Sequence, residues 1–307
     1  MNKIVKWLFV AVVIASMCAC ASDDVIAPSQ VENSIVNFSF FDASVEEFRP
    51  ETRGDDATTT KSWKEYFKRL DIAIFPTGET KNTDVIRLSQ LSSAKNYGTL
   101  SERLPIGKYV MVAVTNKSED SVAISSSELA TFQGSKVSDM AYCSVPFEVK
   151  SGANVVSGTL KRALTKFTLQ ATDMMPANIA KVEIKYTGHI SLSFNPSTGY
   201  GTNSTTQVTQ TATFNMTTIP SKEPNYSFYT LIPEETQTVK IEVNVYDSQN
   251  VVVKNLLFDS VVLQQNHITT YTGPLFTSGT SIDFSFDNKA LGKSEYDKGF
   301  GDDGTVQ

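Results

Sequence analysis

Apolar and polar residues alternate over much of this chain. Val239, Ile241, Val243 and Val245 interleave with Lys240, Glu242 and Asn244. Successive side chains of a strand point to opposite faces, so this pattern predicts a strand buried on one side only. Runs of strand length and residue type also occupy residues 35–41, 70–75, 108–115, 145–149, 155–160, 166–171, 181–186, 251–258, 267–276 and 282–286. The segment Tyr109-Val110-Met111-Val112-Ala113-Val114 is apolar on both faces, which places it in the middle of a sandwich or under a loop. Turn formers separate the runs at Pro76-Thr77-Gly78, Pro105-Ile106-Gly107, Ser151-Gly152 and Pro196-Ser197-Thr198-Gly199. Short strands at this spacing predict an all-β protein of two sandwiches. The boundary is expected near Ser157, giving units 34–157 and 158–287 and a polar tail, 288–307.

One segment departs from period two. Trp63, Tyr66, Phe67 and Leu70 fall at i, i+3, i+4 and i+7, which predicts an amphipathic helix over residues 62–69 capped by Ser62. The alternative is that these aromatics extend the strand that follows. No tandem repeat is visible residue by residue, although two β units of similar size can still share a fold.

The N-terminus adds a processing signal. Lys3 and Lys6 precede an apolar stretch over residues 7–17, the positive and hydrophobic regions of a signal peptide, here residues 1–19. It is shorter than the roughly 20 apolar residues that span a bilayer. It ends in Met17-Cys18-Ala19-Cys20, which resembles the lipobox of bacterial lipoproteins. Cys20 is the expected lipid attachment site, because small Ala19 precedes it whereas bulky Met17 precedes Cys18. The alternative is a plain signal peptide. Ala21-Ser22-Asp23-Asp24 resembles the surface-export signal of Bacteroidota lipoproteins; a merely solvated polar segment is the other reading. Residues 20–33 lack periodicity and predict a flexible tether, which fully extended spans on the order of 45 Å.

Charge and composition narrow the function. Removing residues 1–19 takes away Lys3 and Lys6 and moves the formal charge from −6 to −8, which argues against nucleic acid or an anionic lipid surface as partner. Once Cys20 carries lipid, Cys143 is the remaining thiol outside the signal. Stability is therefore expected from packing rather than disulfides, with Cys143 as a small buried filler. No catalytic, metal or cofactor site is expected. The two histidines, His189 and His267, are far apart and lack a second ligand at metal spacing. No nucleophile elbow, phosphate loop or calcium loop is present. The acidic pairs Glu46-Glu47, Asp55-Asp56 and Asp302-Asp303 read as solvated turns. Arg49 and Arg53 lie in a polar stretch after the first strand-like run, with Arg53 a candidate cleavage site for a trypsin-like protease. Asp120-Ser121-Val122 and Asp259-Ser260-Val261 resemble short O-glycosylation sites of Bacteroidota secreted proteins and make Ser121 and Ser260 candidates for modification.

A family resemblance rests on an ordered series of motifs. These are Leu70-Asp71-Ile72-Ala73-Ile74-Phe75, then Leu104-Pro105-Ile106-Gly107-Lys108-Tyr109, Leu160-Lys161-Arg162-Ala163, Pro196-Ser197-Thr198-Gly199-Tyr200-Gly201 and Ile268-Thr269-Thr270-Tyr271-Thr272-Gly273-Pro274-Leu275-Phe276. With the lipobox, the series resembles the fimbrillin-associated anchor and accessory subunits of Bacteroidota type V fimbriae, over residues 34–286. The resemblance implies two transthyretin-like β-sandwich domains, no enzymatic activity, and a location at the cell outer membrane, exposed on the surface or in a fimbrium. It implies other fimbrial subunits as partners, joined by strand exchange, and allows a host or bacterial surface ligand. An anchor would keep its first strand and its lipid; a stalk or tip subunit would lose both by cleavage after Arg53. The expected role is anchor or accessory subunit, with residues 281–286 the better donor-strand candidate than the polar tail. The alternatives are the polymerising subunit and a glycan-binding surface lipoprotein that stacks sugars on Tyr200 or Tyr226.

Overall fold

The computed structural model describes residues 32–42, 62–78, 84–216, 224–277 and 284–290. The expected signal peptide, Cys20, most of the expected tether, Arg49, Arg53, the acidic pairs and residues 291–307 lie outside them. No helix among the described residues is long and apolar enough to cross a membrane.

In the first half the elements are β1 (Asn33–Asp42), α1 (Trp63–Tyr66), β2 (Arg69–Thr77), β3 (Ile86–Leu91), β4 (Thr99–Pro105), β5 (Gly107–Asn116), β6 (Val122–Ser126), β7 (Leu129–Phe132), β8 (Met140–Val149) and β9 (Asn154–Leu160). The second half has β10 (Thr165–Ala171), β11 (Ile179–Gly188), β12 (Ser193–Phe194), β13 (Val208–Asn215), β14 (Asn225–Thr230), β15 (Thr236–Asp247), β16 (Val252–Gln264), β17 (His267–Gly273) and β18 (Ser285–Ala290).

The two halves repeat one topology. In the first, a sheet ordered β4-β1-β9 faces one ordered β3-β2-β5-β8; in the second, β14-β10-β17-β18 faces β13-β11-β15-β16. In each, the opening strand pairs antiparallel with one strand of its half and parallel with a later one, as β1 does with β4 and β9 and β10 with β14 and β17. These are the two transthyretin-like sandwiches that the resemblance implies. Their cores are separate. Val36, Phe38, Leu70, Ile72, Tyr109, Met111 and Val156 meet in the first, and Phe167, Val182, Ile184, Phe228, Ile241 and Val243 in the second.

A third core joins the halves and explains the strands that are apolar on both faces. Tyr109, Met111 and Ala113 of β5 face the first sandwich, while Val112 and Val114 face outward into a cluster with Ala73, Phe75, Val122, Ile124, Phe132 and Tyr142. The β6–β7 hairpin covers this outer face, and Leu164, Phe194, Tyr229 and Leu231 of the second half complete it. β12 extends the hairpin into a small antiparallel sheet shared by the two halves by pairing with β7. The turn at Gly199 lies against Tyr142, and at φ +85° it needs glycine, since a Cβ there would collide with the tyrosine hydroxyl.

The segment between the halves is fixed as firmly as a strand. Tyr142 and Lys161 exchange both backbone hydrogen bonds, at 2.8 and 2.9 Å. Arg162 donates from Nε and Nη2 to Asp139, at 3.1 and 2.7 Å, and the Tyr66 hydroxyl donates to the same carboxylate at 2.7 Å. β9 runs unbroken through the Ser157–Gly158 position and stays paired with β1 as far as Leu160.

The helix expected over residues 62–69 shrinks to one turn, Trp63–Tyr66, whose opening N–H of Ser62 donates to Glu65 at 3.3 Å. Phe67 is already extended. One turn fixes several dihedrals for few hydrogen bonds, so it persists only through tertiary packing; here Trp63, Tyr66, Phe67 and Leu70 are all buried in the first core. The C-terminal strand is β18, Ser285–Ala290, which runs later than the expected 282–286. Its polar residues Asp287 and Lys289 face solvent on an outer strand, so hydrophobicity does not mark it.

Cys143 is the buried filler its surroundings predict. Its thiol lies in the first core, and burial pushes its pKa up to about 12. The thiolate is the reacting species, so Cys143 in the folded chain is expected to resist a maleimide at pH 8 and to label fully in denaturant, read by peptide mass spectrometry. Labelling of native Cys143 at the rate of an exposed thiol would contradict this packing.

Candidate functional site

β1 is the best candidate for an assembly element, and the reason begins in its sequence. Ser34, Val36, Phe38 and Phe40 alternate with Ile35, Asn37 and Phe41, and only the first set is buried. Val36, Phe38 and Phe40 are 0, 2 and 3 % exposed, so they fill the first core as plugs. Phe38 meets Phe147 edge-on at 5.7 Å, and Phe40 meets Trp63 edge-on at 6.4 Å. The Trp63 indole N–H donates to the Phe40 carbonyl at 3.2 Å. α1 therefore clasps the end of β1.

The slot that receives β1 is bounded by β4 and β9. Phe38 stands opposite Leu100 on one side and Val156 on the other. Phe40 stands beside Gly158, where a Cβ would lie 2.5 Å from the Cys143 sulfur and 3.2 Å from the Phe40 ring. The glycine is what makes room for the plug. On the outer face Ser39 and Ser157 hydrogen-bond at 3.3 Å, while Ile35 and Phe41 remain 48 and 55 % exposed. β1 reaches the rest of the first sandwich covalently only through residues 43–61, the stretch that carries Arg49 and Arg53. Everything else that holds it is a hydrogen bond or a packed side chain.

β18 is the second candidate. Among the described residues it pairs with β17 alone, antiparallel, with Tyr271 opposite Phe286. Phe284 just before it packs edge-on against Phe258 at 5.2 Å, and Phe286 is 54 % exposed. The chain leading to it is pinned by Asp173. That carboxylate accepts the backbone N–H groups of Leu275, Phe276 and Thr277 at 2.8, 2.8 and 2.6 Å and the Thr277 hydroxyl at 2.8 Å. Burial raises its pKa, and these four donors outweigh burial, so the net shift is downward. A lowered carboxylate pKa stabilises the fold above the unfolded value of about 3.9 and loses that contribution as the pH falls through the folded value. Asp173→Asn is therefore expected to lower stability at pH 7 and to narrow its difference from the parent chain at pH 3, read by denaturant melts at both values. An unchanged difference at the two pH values would contradict the carboxylate's role.

The other residues singled out by sequence do not converge. Ser121, half-buried, lies just before β6, and its carbonyl accepts the Gln133 N–H at 3.1 Å. Ser260 is exposed on β16, at a bulge where Asp259 and Ser260 together oppose Lys240. His267 hydrogen-bonds through Nδ1 to the Gln265 carbonyl at 2.8 Å, and His189 lies apart from it in sequence, directly after the end of β11. Among the described residues no three His, Cys, Asp or Glu side chains gather as metal ligands. The sugar-stacking role considered for Tyr226 is corrected: its ring is 0 % exposed in the second core. Trp63, at 4 %, is likewise inside.

Sequence reasoning missed β4, one wall of the slot. Its exposed face carries Ser101 and Arg103, and these mask the spacing of Leu100 and Leu104 on the inward face.

No curated protein matches the chain. Among solved structures, it resembles a candidate cell adhesion protein from Bacteroides uniformis ATCC 8492, with 13% identity, a TM-score of 0.50, and coverage of 84% of this chain and 99% of that one. It also resembles the fimbrial anchor protein Mfa2 from Porphyromonas gingivalis, with 13% identity, a TM-score of 0.46, and coverage of 84% and 98%. A candidate adhesin from Bacteroides ovatus ATCC 8483 has 10% identity, a TM-score of 0.45, and coverage of 80% and 88%. At these identities the likeness is one of fold. A family model matches residues 28–299, and the chain belongs to that family, DUF6562, a family of unknown function.

Proposed function

We propose that this chain is a surface lipoprotein that serves as an anchor or accessory subunit of a type V-like fimbrium and joins other subunits by β-strand addition. The observation that carries the reading is the position of β1. It is hydrogen-bonded on both sides within its sheet, its plugs are buried, and it begins 13 residues after Cys20. Lipid and first strand would then be one segment, and an uncut chain would keep its slot filled while held at the outer membrane. Two or more acyl chains give stable anchoring where one is marginal. In this reading residues 20–32 are the tether, ending where β1 begins at Asn33, the two sandwiches are two domains, and the role is structural rather than enzymatic. The cell-adhesion description of the Bacteroides uniformis structure is in keeping with it. A second reading rests on the same strand: cleavage after Arg53 would release lipid and β1 together and leave an open slot for a partner's strand, making a polymerising stalk or tip subunit.

The deciding experiment is expression of the full precursor in a Bacteroidota host, followed by mass spectrometry of the N-terminus in the surface fraction. An acylated Cys20 with β1 retained supports the anchor. A start at Gly54 in high-mass polymers would overturn it in favour of the polymerising subunit.

A further inference from the structure

A cleft outside both candidate strands lies between β2–β3 and the hairpin that covers them. Its volume is about 380 Å³, within the range of ligand sites. One wall is the outer face of β3, with Arg87 and Ser89; the floor is Arg69 and Asp71 of β2; the opposite wall is β6 from Val122 to Ser125.

Among the described residues, the β6 wall is an unpaired sheet edge. In the order β12-β7-β6 it is the outermost strand. The Gln133 N–H donates to the Ser121 carbonyl, and Val122 stands opposite Phe132 and Ile124 opposite Ala130. In an antiparallel ladder these alternate residues turn their N–H and C=O groups away from the partner strand. Val122 shows it: its N–H leaves the ladder and donates to Asp71 Oδ2 at 2.9 Å. The next such residue is Ile124, whose N–H and C=O point the same way.

Charge on the floor is already balanced. Arg69 Nε lies 3.0 and 2.9 Å from the two Asp71 oxygens, and its Nη1 donates to the Glu119 carbonyl at 3.2 Å. Arg87 is different: it is exposed, stands opposite Ala73, and makes no hydrogen bond or ion pair among the described residues. The cleft thus offers a strand edge on one side and a free guanidinium on the other.

We infer that this cleft binds an extended peptide carrying a carboxylate, its backbone pairing with Ile124 and its acid held by Arg87. An open edge gives main-chain hydrogen bonds to an added strand, and the guanidinium fork favours a carboxylate over its amide. The site is independent of β1 and of whether residues 43–61 are cut, so it would stand if the fimbrial role failed.

The test uses the isotope-labelled full chain titrated with the capped peptide Thr-Val-Glu-Val-Thr and with its glutamine counterpart. The glutamate peptide is expected to shift the Ile124 amide and the Arg87 side chain together and to bind about tenfold tighter than the glutamine peptide. Arg87→Ala should abolish that preference without changing the melting temperature, because the side chain is exposed and Ala73 is its cross-strand neighbour. Equal affinity for the two peptides, an unmoved Ile124 at millimolar peptide, or an undiminished preference in Arg87→Ala would overturn the inference. So would acetate reproducing the Arg87 shift while neither peptide moves Ile124, which would make this a simple anion site.

Discussion

Replacing Asp139 by alanine is expected to destabilise the chain by about 3–5 kcal/mol, the cost of breaking a buried ion pair from one side. Asp139 is 0 % exposed and the Arg162 side chain 7 % exposed. Without the carboxylate, a buried guanidinium loses its main partner and the Tyr66 hydroxyl loses its acceptor. The position makes the loss matter beyond its size, because Arg162 sits in the segment that carries the chain from β9 to β10. Two alternatives separate pair from charge. Asp139→Leu with Arg162→Met removes both charges and keeps the volume, so it should recover much of the loss, since apolar replacements of buried pairs are often neutral or better. A double-mutant cycle built from chemical denaturation would then show coupling of several kcal/mol between the sites. If the single and double variants are equally unstable, packing and not charge governs this junction.

The strands that sequence revealed are those with two apolar sides or strong alternation. β2, β5, β11 and β15 are central strands, and their positions are covered on at least one face along their whole length. β3, β4, β13 and β14 escaped notice because they are outer strands in which Arg, Ser, Thr, Gln or Glu separates the inward apolar residues, such as Ile86 and Leu88 of β3, Leu100 and Leu104 of β4, and Tyr226 and Phe228 of β14. They are the same strands in both halves. The internal repeat is thus invisible in residues for a physical reason: topology constrains which faces are covered, and many apolar side chains satisfy a covered face equally well. The third core was half legible. Val112 and Val114 announced that something covers β5, but not that a β6–β7 hairpin and residues of the second sandwich share the task.

The site was legible in part. The alternation of Val36, Phe38 and Phe40 marked a strand, and the motifs Leu160-Lys161-Arg162-Ala163 and Pro196-Ser197-Thr198-Gly199 carried the resemblance. Their structural places are the junction and the turn against Tyr142, so they report how the halves are joined rather than what is bound. The partners of β1 had no local signal, because β9 pairs with it from more than a hundred residues away. The cleft had none either: Arg87 gains meaning only when β6 is folded across from it.

Cutting after Arg53 and removing the N-terminal piece is expected to cost more than any single substitution. Three plugs, Val36, Phe38 and Phe40, would leave the first core. At about 1.5–3 kcal/mol for each large apolar side chain exposed, the loss is on the order of 5–9 kcal/mol, comparable with the whole stability of a typical domain. It also strips backbone partners from β4 and β9 along the length of β1, leaving two facing edges of the kind that recruit another strand. While both pieces stay together the cut chain should melt near the intact one, because β1 is held without covalent help. Separated, the chain from Gly54 should lose its cooperative transition or self-associate. A peptide of residues 33–42 should restore the monomer and its melting temperature, and the same peptide carrying Phe38→Asp should not, since it would bury a charge against Phe147. Calorimetry with light scattering reads every arm. A Gly54 chain that melts alone as an intact monomer would show that β1 is an appendage and that the slot has no part in assembly.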